Sequence, residues 1–119
     1  MVATILVADD EAPIAELLAD LLEEVGYRVL LAYNGADALA LIEREHPDLL
    51  LTDNMMPRLS GLQLIAHLHD HPTLALPVIL MSAVTPEPTP PPPVAFMPKP
   101  FDLDQMLALV AEFLPRSES

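Results

Sequence analysis

The chain is 119 residues long, the size of one ordinary domain, and is 52% hydrophobic against 19% charged, which is apolar material enough for a core and excludes a disordered segment. Five Lys and Arg stand against 18 Asp and Glu, a net charge of -13 that argues against direct binding of nucleic acid or an anionic membrane surface. Having no cysteine, the chain has no disulfide framework, thiolate zinc site or cysteine nucleophile. No apolar run approaches the roughly 20 residues of a membrane span, and the N-terminus lacks the basic region of a signal peptide. The expectation is a single cytoplasmic domain over residues 1–119.

Thr4 to Ala8 is an apolar run ending in Asp9-Asp10, the pattern of a strand buried on both faces. Ile14, Leu17, Leu18, Leu21, Leu22 and Val25 follow at helical spacing, with Pro13 in the first turn and Gly26 past the end, and are read as a core stripe. Arg28 to Tyr33 is a second strand. Asn34 caps a helix running to about Glu45, which His46-Pro47 stops. Asp48 to Thr52 is a third strand, ending at Asp53. A loop from Asn54 to Ser60 leads to Gly61 and a helix carrying Leu64, Ile65 and Leu68 on one face. Pro72 and Pro77 bracket a loop before a fourth strand, Val78 to Met81, that ends at Ser82. Residues 84–93 hold six prolines, which delete donors and preclude a helix, so an extended segment is expected there. Val94 to Met97 is a fifth strand, followed by Pro98-Lys99-Pro100. Asp102 caps a last helix through Leu103, Met106, Leu107, Val110 and Leu114; residues 113–119 are its end and a short polar tail.

This alternation of strands and helices, with all-apolar strands, predicts an α/β fold: a parallel sheet covered by helices on both faces. Right-handed crossovers put every strand's carboxyl end on one edge, where such sheets bind ligands. That edge receives Asp9, Asp10, Asp53, Ser82 and Lys99, the sole lysine of the chain. Taken singly, each has a bland reading as a helix cap, a turn residue or a surface charge. Together they form a rim of three carboxylates, a hydroxyl and an ammonium. Clustered carboxylates repel unless a cation joins them, and hard oxygen ligands suit Mg²⁺. One carboxylate can then act as nucleophile in aspartyl-phosphate chemistry.

These residues lie in the motifs Val7-Ala8-Asp9-Asp10-Glu11, Leu51 to Gly61 (LTDNMMPRLSG), Leu80-Met81-Ser82-Ala83 and Phe96-Met97-Pro98-Lys99-Pro100-Phe101. The chain resembles a receiver domain of a bacterial two-component response regulator, of the chemotaxis-regulator type. The resemblance implies a flavodoxin-like, doubly wound, five-stranded parallel sheet of order 2-1-3-4-5. Asp53 would be the phosphoacceptor, taking its phosphoryl group from a phosphohistidine of a sensor histidine kinase or histidine phosphotransfer protein. Mg²⁺ would be bound by Asp10 directly, by Asp9 largely through water, by Asp53 and by the backbone carbonyl of Met55. Lys99 and Ser82 would hold the phosphoryl oxygens. Ser82 and Phe96 would form the switch, and the Lys99-Pro100 bond would be cis. Such a domain catalyses only its own phosphorylation and dephosphorylation and is not a turnover enzyme. Its partners beyond the phosphodonor would be a downstream protein or a fused output domain, with no direct nucleic-acid or membrane contact.

The departure from the family is the proline-rich segment in place of a fourth helix. Ten residues of polyproline II span roughly 30 Å at about 3.1 Å each, more than the roughly 17–20 Å of a strand, so no helix is needed to cross the sheet. The competing readings are a phosphorylation-independent interaction module on the same fold and a small phosphohydrolase. The second lacks the Asp-x-Asp pattern, because Asn54 and Met55 follow Asp53. His67, His69, Asp70 and His71 form a His-rich patch whose default reading is a solvated helix end. His67 and His71 are i, i+4, the spacing of a metal pair, but no third ligand is evident.

Overall fold

Parallel strands cannot be joined by tight turns, so each must be followed by a crossover. The computed structural model, which describes residues 2–84 and 94–114, has that pattern. Its elements in chain order are β1 (Thr4–Ala8), α1 (Ala12–Glu24), β2 (Arg28–Ala32), α2 (Gly35–Glu45), β3 (Leu49–Asp53), α3 (Gly61–His69), a 3-10 turn (Pro72–Leu74), β4 (Val78–Ser82), β5 (Val94–Pro98) and α4 (Leu103–Phe113). The sheet order is β2-β1-β3-β4-β5 and every pairing is parallel. The expected flavodoxin-like α/β architecture and strand order are therefore present. The extended segment expected at residues 84–93 lies, from residue 85 on, outside the described residues, as does the polar tail from residue 115.

Side chains alternate across a strand, and the two halves of that alternation build two cores. Ile5, Val7, Leu49, Leu51, Ile79 and Met81 face α1 and α4, packing on Leu18, Leu22, Met106 and Val110. Leu6, Leu50, Val78 and Leu80 face α2 and α3, packing on Ala38, Ile42, Leu64 and Leu68. A fully buried aliphatic side chain contributes about 1.5–3 kcal/mol. The exposed pairs Arg28–Glu45 and Arg58–Asp37, at 3.6 and 3.9 Å, belong to a class worth about 0–1 kcal/mol each. Burial therefore sets the fold. Hydrogen bonds set where the elements begin and end.

Asn34 accepts the Asp37 amide at 2.8 Å, and capping boxes start α3 (Ser60 with Gln63) and α4 (Asp102 with Gln105). His46 ends α2 in a left-handed conformation, φ 48°. Small boundary differences have local causes. Asp48 precedes β3, its carboxylate accepting the Thr4 amide and its own amide donating to the Thr4 carbonyl, both at 2.8 Å. Tyr33 lies outside β2, 39% exposed. The loop expected between Pro72 and Pro77 contains the 3-10 turn, whose i to i+3 bonds start beside Pro72, where a missing N–H costs nothing.

The loop joining β3 to α3 is clamped on two sides. A Cβ on Gly61 would lie 2.6 Å from the carbonyl oxygen of Asp53, and one on Gly35, at the start of α2, would lie 2.0 Å from that of Leu59. Helix propensity favours alanine over glycine by about 0.5–1 kcal/mol. Overpacking against backbone costs about 1–3 kcal/mol and wins at this contact. Gly35→Ala should therefore lower the urea midpoint despite its better helix propensity; an unchanged or higher midpoint would mean that the loop yields freely.

Candidate functional site

The carboxyl ends of β1, β3, β4 and β5 meet at one rim, each delivering a polar side chain that the packed strand behind it cannot let go. Asp9 follows β1, and its amide donates to the Ala32 carbonyl, so the chain is still tied to the sheet there. Its carboxylate is fully buried: Oδ1 accepts the Glu11 amide at 2.9 Å at the entry to α1, while Oδ2 has no hydrogen-bond partner. Asp10 next to it is exposed. Asp53 closes β3, 3% exposed, opposite Met81 of β4. One carboxylate oxygen from each of Asp9, Asp10 and Asp53 lies within 4.8 Å of the others.

Lys99 reaches the same place from the far end of the chain. Its amide donates to the Ser82 carbonyl at 2.8 Å, prolonging the β4–β5 pairing by one bond, and its Nζ donates to Asp53 Oδ1 at 2.5 Å. The Lys99-Pro100 peptide bond is cis. Ser82, 4% exposed, accepts the Val84 amide on its hydroxyl at 3.1 Å. Phe96 sits half-buried on β5 opposite Leu80, two residues before Pro98, which pairs with Ser82. Met55 lies in the β3–α3 loop with its side chain 75% exposed. The structure thus gathers Asp9, Asp10, Asp53 and Lys99 directly, places Ser82 at the adjoining strand end, and sets Phe96 farther back along the edge strand.

Electrostatics follow from this geometry. Burial pushes the Asp9 carboxyl above the ordinary carboxylate value; the Glu11 amide opposes the rise and the nearby Asp53 charge adds to it. Burial pulls the Lys99 ammonium down, but the hydrogen bond and charge of Asp53 outweigh it, and the net shift is upward. Three carboxylates and one ammonium leave the cluster with an excess of two negative charges. A divalent cation offsets that excess. The orphaned Oδ2 of Asp9 is a buried acceptor with nothing to accept, and the donor set is all carboxylate oxygen. The residues therefore fit Mg²⁺, with Asp9, Asp10 and Asp53 as the side chains available to hold it.

Beside the cluster runs a feature that the sequence reading missed. Ile14 and Leu17 of α1, read as core, are 39% and 46% exposed, and Leu103 of α4 is 37% exposed. With Leu18, Ala83 and Phe101 they line an apolar groove of about 400 Å³ whose lining also includes Asp9 and Lys99. The signal was present: apolar positions at 14, 17, 18, 21, 22 and 25 make a wider stripe than one sheet face needs.

A five-stranded parallel sheet of this order with an acidic cluster and a lysine at its carboxyl edge defines a class of doubly wound α/β domains with a charged site at the strand ends. The family profile "Response regulator receiver domain" matches residues 5–111, and the chain belongs to that family. The chain is similar to the phosphate regulon transcriptional regulatory protein PhoB of Pseudomonas aeruginosa, 46% identical over 67% of this chain and 35% of that protein. It is also similar to the response regulator MprA of Mycobacterium ulcerans, 36% identical over 99% of this chain and 53% of that one. Among solved structures, the signal receiver domain of a signal transduction histidine kinase from Syntrophus aciditrophicus superposes with a TM-score of 0.86 at 28% identity, covering 98% of this chain and 96% of that one. The chain spans between about a third and a half of the length of these curated relatives.

Because the native Asp9 carboxyl holds its proton more tightly than in the unfolded chain, its contribution to stability is full below pH 3.8 and is lost as pH rises through the raised native value. Asp9→Asn should therefore stabilise the metal-free protein at neutral pH by about 1 kcal/mol, read from urea denaturation in chelator. The gain should shrink or reverse in excess Mg²⁺, and a destabilised metal-free variant would contradict the assignment of Asp9 as an unpaired buried charge.

Proposed function

We propose that the chain is the phosphoacceptor of a two-component pathway, taking a phosphoryl group from a phosphohistidine of a sensor histidine kinase or histidine phosphotransfer protein onto Asp53. The observation that carries this reading is the Lys99 ammonium seated on the buried Asp53 carboxylate beside the Asp9–Asp10 pair. In the transfer, a carboxylate oxygen of Asp53 bonds to phosphorus, the phosphorus–nitrogen bond of the donor breaks, and the departing imidazole takes up a proton. Lys99 moves its hydrogen bond from the carboxylate to a phosphoryl oxygen, and the Ser82 hydroxyl donates to another. Asp9, Asp10, Asp53 and the Met55 carbonyl would hold Mg²⁺, which would supply charge neutralisation for the incoming anion.

The apolar groove supports a protein donor over a small metabolite. Its lining combines residues of α1 and the start of α4 with Asp9 and Lys99 of the site, and it suits the apolar face of a helix that carries the phosphohistidine. Exposed Ile14 and Leu17 beside a phosphorylation site need a partner to cover them. Readout runs through Ser82 and Phe96, whose strands pair side by side, to a downstream protein or a fused output domain. The domain turns over nothing but its own aspartyl phosphate, and a cytoplasmic location accords with a kinase partner. Among the described residues no helix is long and apolar enough to cross a membrane.

Intact mass after incubation with Mg²⁺ and acetyl phosphate should show one added phosphoryl group, absent from Asp53→Asn; full labelling of that variant would sink the assignment. Leu17→Asp, an exposed change, should keep labelling by acetyl phosphate within about twofold while transfer from a phosphohistidine protein falls about tenfold or more, the loss expected when a central apolar contact is removed. Equal losses with both donors would mean that the groove shapes the site rather than docks the donor.

A further inference from the structure

The His-rich end of α3 plays no part in the chemistry at the sheet edge. His67 lies in the last turn of α3 and His71 two residues past its end. Their rings are stacked, with centroids 4.2 Å apart and planes 15° from parallel. His71 Nδ1 lies 2.8 Å from the His67 carbonyl oxygen. A carbonyl only accepts, so Nδ1 of His71 carries the proton and donates it. The lone pair of that ring is then on Nε2, the nitrogen turned away from the helix backbone.

An imidazole fixed by a backbone carbonyl through one nitrogen, with the other free, is the arrangement that readies histidine for a metal. Among the described residues the neighbouring imidazole of His67 makes no hydrogen bond, and it is free to turn about its Cβ–Cγ bond out of the stacked arrangement. Nothing heavier than side-chain rotation is required, because both residues reach solvent. The net charge of -13 raises the local concentration of cations, and Asp70 lies between the two histidines in sequence.

We propose that His67 and His71 form a two-histidine site for a borderline divalent transition ion such as Zn²⁺, separate from the all-oxygen cluster at the sheet edge. Ligand chemistry separates the two sites. Carboxylate oxygens favour Mg²⁺, whereas neutral imidazole favours Zn²⁺, Cu²⁺ and Ni²⁺. Among the described residues only Asp9, Asp10 and Asp53 bring three candidate ligand atoms together. Water therefore completes the coordination at the histidine pair, as befits an exchangeable surface site rather than a structural one. An ion held there clips the last turn of α3 to the start of the 3-10 turn, the connection that leads into β4 and Ser82.

The test is a Zn²⁺ titration of the full chain in saturating Mg²⁺, followed by the imidazole resonances of all four histidines and by the melting temperature. The His67 and His71 resonances should move together, with the melting temperature rising as sites fill. In His67→Ala and in His71→Ala that response should weaken about tenfold or more, while His46→Ala and His69→Ala leave it intact. All four variants alter solvent-accessible rings, so circular dichroism should find them folded. Unmoved His67 and His71 resonances at millimolar Zn²⁺ would overturn the site, as would a response of equal size in His67→Ala, which would place the zinc on the carboxylates instead.

Discussion

The site at the sheet edge depends on one long-range contact, the ammonium of Lys99 on the carboxylate of Asp53. Two further carboxylates crowd the same rim, and without a cation their mutual repulsion would work against the close approach of the β1 and β3 ends. Among the described residues Lys99 supplies the only positive charge paired with the cluster, from a position 46 residues away in the chain. The strand pairing that carries it there is extended by the Lys99 amide on the Ser82 carbonyl. Sheet register and site electrostatics are therefore the same fact seen at two scales: a one-residue slip of β5 would turn the ammonium away and leave Asp53 buried without its partner.

The site is kept short of full satisfaction. Lys99 answers Asp53, and the Glu11 amide answers one oxygen of Asp9, but the other oxygen of Asp9 is buried with no donor. Leaving a buried polar atom unpaired costs about 1–3 kcal/mol, a cost that the two apolar cores flanking the sheet are large enough to absorb. A rim whose buried oxygens were all satisfied by protein donors would be more stable and would offer a cation one free buried acceptor fewer. The instability is local, at the strand ends, and the buried residues behind it are apolar apart from Thr4 and Thr52.

The strands were legible because a parallel sheet covered on both faces writes itself as uninterrupted apolar runs, and TILVA, LLLTD and VILMS are such runs. The carboxyl-edge residues were legible for a related reason: each lies at or just past the end of its run. Other features were written in contacts between distant positions and could not be read locally. Asp48 reads as strand, yet its carboxylate is spent on the amide of Thr4, 44 residues away. Ile14, Leu17 and Leu103 read as core because hydrophobicity does not say whether a neighbouring element arrives to cover it. The His67–His71 spacing was visible in the sequence. The stacking of the rings and the hydrogen bond that fixes one tautomer were not, since both depend on how α3 ends.

Burial also says where a change at the rim can be accommodated. β1, β3 and β4 are buried at every position, whereas β5 is half-buried over Val94, Ala95 and Phe96 and is an edge strand. The β3–α3 loop, the other neighbour of Asp53, has no slack: Gly61 lies against the Asp53 carbonyl and Gly35 against that of Leu59, at separations that would not admit one more carbon atom. A close-packed core does not deform continuously, so an altered charge on Asp53 cannot be relieved through β3, β4 or that loop. On the phosphoacceptor reading it would be relieved through Lys99, which is tethered to Asp53 by a side chain and to Ser82 by its backbone. Motion of Lys99 loads the end of β5, the least buried strand on that side of the sheet, and Phe96 is the large side chain that strand carries. On the phosphoacceptor reading, the half-buried edge strand is the element with the freedom to report the state of the site, because every other element touching Asp53 is already packed against something that cannot move.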